Sequence, residues 1–109
     1  MDEDKKKDVE KSLNRINEEI IFVKKKIQHL EEDAEFNKKQ QQKCQQILDE
    51  LLLDFGKSDN SRKLDSLNNN LSEEFKSMRN IFKDKNDEYE DELKKLNKEK
   101  DRIKNMKEE

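Results

Sequence analysis

The chain has 109 residues, of which 28% are apolar and 49% charged, with one glycine and no proline. This length allows one domain, but the composition is too polar for a thick globular core, so apolar residues have to be confined to a narrow seam between exposed helices. The 25 basic and 28 acidic residues are mixed at close range and leave a net charge of −3, which argues against the single-sign basic face of a general nucleic-acid binder.

The first element starts near the acidic Asp2-Glu3-Asp4, where a helix dipole favours negative charge. From Val9 a strict alternation of four- and three-residue steps runs through Leu13, Ile16, Ile20, Val23, Ile27, Leu30, Ala34, Asn37, Gln41, Cys44, Leu48, Leu51 and Phe55. This is a heptad seam with Leu13 at position a, and it predicts one helix over about 4–54, roughly 75 Å long at 1.5 Å per residue. Lys5 to Lys7 and Lys24 to Lys26 are the densest basic runs, but acidic residues flank both, and they read as solvated faces. The seam weakens at Ala34, Asn37 and Gln41, where either a local bend or bulky residues from a second helix would account for it.

Several residues of this arm lie off the seam. Phe22, His29 and Phe36 share heptad position c and form a stripe on one flank, which either leans over the seam or docks a partner helix. Ile47, Leu52, Leu53 and Phe55 surround the end of the arm more fully than one neighbouring helix could cover. A second helical protein, or a second copy making a homodimer, is the expected occupant. Cys44 is a lone cysteine at a d position and reads as a small core hydrophobe. It lies too far along the helix from His29 to act with it, and neither a zinc spacing nor a phosphate loop is present. No enzyme activity, cofactor or metal is expected.

The turn is expected over 55–60, where Gly56 can end a helix in the left-handed region and Lys57 to Ser61 offer N-cap side chains. The second helix is expected over about 61–107, starting either at Ser61 or, because Asn68 to Asn70 are poor helix formers, near Leu71. Its expected seam is Leu64, Leu67, Leu71, Phe75, Met78, Phe82, Tyr89, Leu96, Ile103 and Met106, with Lys85, Glu92 and Glu99 between them and Leu93 adjacent. With a corner near residues 57 and 58, antiparallel partners have numbers that add to about 115, so Phe75, Met78 and Phe82 face Gln41, Asn37 and Ala34. The fold class is therefore all-α, an antiparallel two-helix hairpin forming a single domain. So narrow a seam offsets little of the ordering entropy, and the hairpin is expected to need a partner.

A charge-rich helical hairpin of this size, with an aromatic residue and glycine at its turn, resembles the WXG superfamily of small type VII secretion proteins. Glu35-Phe-Asn-Lys-Lys-Gln-Gln-Gln42, followed by Leu51-Leu-Leu-Asp-Phe-Gly56 and a charged second helix, is similar to the small helical proteins encoded beside LXG toxins. In the superfamily the turn reads Trp-x-Gly, whereas Phe55 and Gly56 are adjacent here. Its export signal is Tyr-x-x-x-Asp/Glu, whereas Tyr89 is followed four residues later by Leu93, and a related Phe-x-x-x-Asp pattern lies at Phe55 to Asp59. The resemblance implies a non-enzymatic chaperone or targeting factor that binds the helical N-terminal domain of a toxin, with Phe55, Gly56 and Asp59 as a targeting motif. The alternative is a structural coiled-coil subunit of a cytoskeletal or tethering assembly. No apolar run approaches the roughly 20 residues that span a bilayer, and the N-terminus lacks a signal-peptide core. Cytoplasmic localisation without membrane insertion is expected, or export together with the partner.

Overall fold

The computed structural model describes residues 3–55 and 61–108, and the side chains of 3–54 and 61–106. It is an all-α hairpin of two antiparallel helices, α1 over Glu3–Phe55 and α2 over Ser61–Glu108, with no strand among the described residues. Gly56 to Asn60, where the turn and its caps are expected, lie outside the described residues.

The 53 residues of α1 contain neither glycine nor proline, so nothing in the backbone breaks the hydrogen-bond ladder, and Glu3 and Asp4 occupy its first turn. Every expected seam position from Val9 to Leu51 is withdrawn from solvent, including Ala34, Asn37 and Gln41, and the helix continues through that polar stretch. Of the two starts considered for α2, the earlier is found, at Ser61. Asn68 to Asn70 are helical despite their low propensity because Leu64, Leu71 and Phe75 on the same helix are half-buried, and packing outweighs propensity differences of a few tenths of a kcal/mol per residue.

The chain divides into two compact units. One comprises Met1–Leu30 with Lys85–Glu109, the other Glu31–Asp84. In the first unit Ile16, Ile20 and Ile103 form a buried cluster against which Val9, Leu13, Leu93 and Leu96 pack. Val23, 1% exposed, is its most enclosed side chain. The Lys26 ammonium reaches the Tyr89 ring, and 26 and 89 add to the expected 115. In the second unit Leu48 is buried, and Arg79 Nη1 donates a 2.8 Å hydrogen bond to Gln41 Oε1, two residues whose numbers add to 120. Phe82 was expected opposite Ala34 and Met78 opposite Asn37; Phe82 lines a groove with Ala34, Asn37 and Gln41, but Met78 is exposed and the small and polar residues leave about 750 Å³ open there.

The expected seam of α2 requires correction. Its withdrawn positions are 61, 64, 68, 71, 75, 82, 86, 89, 93, 96, 100 and 103. Asn68 thus replaces Leu67, and Asn86, Leu93 and Lys100 replace Lys85, Glu92 and Glu99, while Leu67, Met78 and Met106 are exposed. The seam slips by one residue after Phe82, the kind of stutter that heptad patterns carry when an extra four-residue step is inserted. The physical reason is the relative cost of burial. Holding Glu92 and Glu99 in the seam would desolvate carboxylates at several kcal/mol each, and it would also leave Leu93 in water, forfeiting roughly 1.5 to 3 kcal/mol. The slip also brings Leu93 onto the Ile16 and Ile20 cluster. Lys100 is half-buried, as a lysine stem is when its ammonium reaches water.

Candidate partner-binding surface

The residues expected to meet a partner are presented as follows. In the first unit Phe22 is 60% exposed, and the Lys26 ammonium lies 4.5 Å from the centre of its ring and 5.6 Å from that of Tyr89. A cation near two aromatic faces is attracted to both quadrupoles. His29, one heptad further along α1, is also exposed. In the second unit Phe36 is 65%, Ile47 57% and Leu53 85% exposed, whereas Leu52 is half-buried. Phe22 and Phe36 thus each keep more than half of their surface in water. Phe55 ends α1, and its side chain, like Gly56 and Asp59, is outside the described residues.

Three further exposed apolar residues of the second unit escape the periodicity argument: Leu67, Met78 and Ile81. Leu67 and Met78 were expected in the seam. Ile81 carries a weak signal in its adjacency to Phe82, since two consecutive residues of a helix cannot both face one neighbour.

Their placement follows from the seam found for this unit. With Phe75 and Phe82 at position a and Leu64 and Leu71 at d, Leu67 and Ile81 fall at g and Met78 at d. On α1, Phe36 is at c and Ile47 at g. The two helices are antiparallel, so the g flank of one borders the g flank of the other. Arg79, at e, bonds Gln41 on the opposite flank. Phe36, Ile47, Leu67, Met78 and Ile81 thus share one side of the second unit, and Leu53, at f, does not.

Few features of chemistry accompany this surface. Among the described residues no group of three or more His, Cys, Asp or Glu could hold a metal ion. Cys44 is a free, half-buried thiol. Lys85, freed from the seam, pairs with Glu88 at 3.2 Å, and that hydrogen bond and the attraction of the carboxylate raise its pKa above the ordinary lysine value. No described helix is long and apolar enough to cross a membrane. No family model matches this chain, and neither does any curated protein or solved structure.

Proposed function

We propose that the chain is a non-enzymatic helical partner protein, a chaperone or targeting factor that binds the helical N-terminal domain of a type VII secreted LXG toxin. In this reading it acts in the cytoplasm, where the toxin is made, with export together with the toxin as the alternative. The observation that carries this reading is the exposure of large apolar side chains off the seam between the two helices, with Phe36 and Ile47 each more than half exposed on one flank of α1. Apolar groups placed regularly along a helix flank gain by burial against another helix. The resemblance of the Phe36 and Leu51 to Gly56 segments to proteins encoded beside such toxins supplies the identity of that helix.

The test is co-expression of the full chain with the helical N-terminal domain of an LXG toxin, followed by size exclusion with light scattering and circular dichroism. A stoichiometric complex more helical than the sum of its parts supports the proposal. A stable homo-oligomer that ignores the domain removes it and favours a coiled-coil subunit.

A further inference from the structure

We infer that the side of the second unit carrying Phe36, Ile47, Leu67, Met78 and Ile81 is a docking face for an amphipathic helix whose apolar stripe is flanked by lysine or arginine. This rests on the reading of the chain as a partner protein and adds to it a location and a charge. The five side chains are between 40% and 65% exposed, and they come from both helices, so they form a band rather than one row.

The charges beside the band identify the occupant. At the c and g positions on this side, α1 and α2 carry five carboxylates, those of Asp33, Glu50, Asp54, Glu74 and Asp84, against Lys43 and Lys63, a balance of −3. The e and b positions of the opposite flank carry four carboxylates against five cations, a balance of +1. The apolar band therefore has an acidic border that the other flank lacks. A second copy docking through the same face would set those carboxylates against their counterparts, and like charges across an interface are unfavourable. An anionic lipid surface is repelled for the same reason. A helix with basic flanks satisfies both the band and its border.

The experiment uses the full chain and two synthetic helical peptides with the same leucine stripe, one flanked by lysines and one by glutamates, with binding read by fluorescence anisotropy at low and high salt. The lysine peptide is expected to bind at least about tenfold more tightly at low salt, the preference shrinking as salt screens the border. Ile81→Lys should abolish that preference, whereas Leu53→Lys, on a different flank, should leave it, with helicity confirming that both variants fold. Equal binding of the two peptides, binding of neither, or equal sensitivity to the two substitutions overturns the inference. So does a concentration-dependent dimer lost in Ile81→Lys, since the occupant is then a second copy. A toxin domain that binds Ile81→Lys as well as the parent keeps the proposed function but removes this face. If that domain fails to bind while the lysine peptide succeeds, the function fails and the face stands.

Discussion

Single side chains in this hairpin differ sharply in what they contribute, because the seam is only a few residues wide. Val23, in the first unit, is 1% exposed. Val23→Ala removes two methyl groups' worth of buried surface and leaves a hole, so it should destabilise the fold by about 2 kcal/mol. Leu53→Ala, at a position 85% exposed, should change stability by no more than about 0.5 kcal/mol. Urea melts followed by circular dichroism check both. A result in which the two substitutions cost the same would mean that Val23 is not enclosed by α2. Lys85 offers a test of the corrected seam. Its raised pKa comes first from the hydrogen bond to Glu88, so Glu88→Gln should lower it, as followed by NMR titration of the lysine side chain. The sign of the linkage follows: the pair's contribution to stability is complete below the unfolded lysine value and is lost as pH rises through the raised folded value. Because both groups are largely exposed, salt should reduce the effect.

At the scale of the helix, α1 was legible and α2 only partly so. The four- and three-residue alternation of α1 is unbroken from Val9 to Leu51, and each of these positions is withdrawn from water. In α2 the aliphatic residues are too sparse to fix the phase, because Leu71, Phe75, Phe82, Tyr89, Leu96 and Ile103 fit either choice of the positions between them. What decides the phase is the cost of placing Glu92 and Glu99 against α1, which a count of apolar residues does not register. The off-seam character of Phe22, Phe36, Ile47 and Leu53 could be read from heptad position, but their grouping with Leu67, Met78 and Ile81 requires the phase of the second helix. The seam found for α2 also places Asn68 against α1, where its Oδ1 is buried and accepts no hydrogen bond from the described residues. An unsatisfied buried amide is unfavourable by about 1 to 3 kcal/mol, and asparagine is also a weaker helix former than leucine. Asn68→Leu should therefore stabilise the hairpin by about 1 to 2 kcal/mol in thermal or urea unfolding. A destabilised variant would mean that the amide is satisfied by a group in the turn. In coiled coils a lone buried asparagine fixes register, and the more stable variant would be expected to show a second pairing by disulfide trapping.

Across the whole molecule, apolar burial is unevenly distributed. Among the described residues Ile16, Ile20, Val23 and Ile103 are buried in the first unit, whereas in the second Leu48 is buried and a groove lined by Ala34, Asn37 and Gln41 stays open. Local opening is governed by how much packed surface each segment must give up. Amides near Ile16 to Val23 and Leu93 to Ile103 should exchange slowest with solvent, and those near Ala34 to Cys44 and Leu71 to Phe82 at least about tenfold faster, a difference of about 1.4 kcal/mol in opening free energy. Hydrogen exchange read by mass spectrometry or NMR checks this, and uniform protection along both helices would refute it. The loosely packed unit is also the one that carries the band of exposed apolar residues, so its stability and its binding are linked. A partner that binds only the closed hairpin stabilises it by mass action, by about 2.7 kcal/mol at a hundredfold excess over Kd. The added protection should appear in the second unit and leave the first little changed. Protection spread evenly over both units would place the docking surface along the whole of α1, where Phe22 and His29 would take part with Phe36.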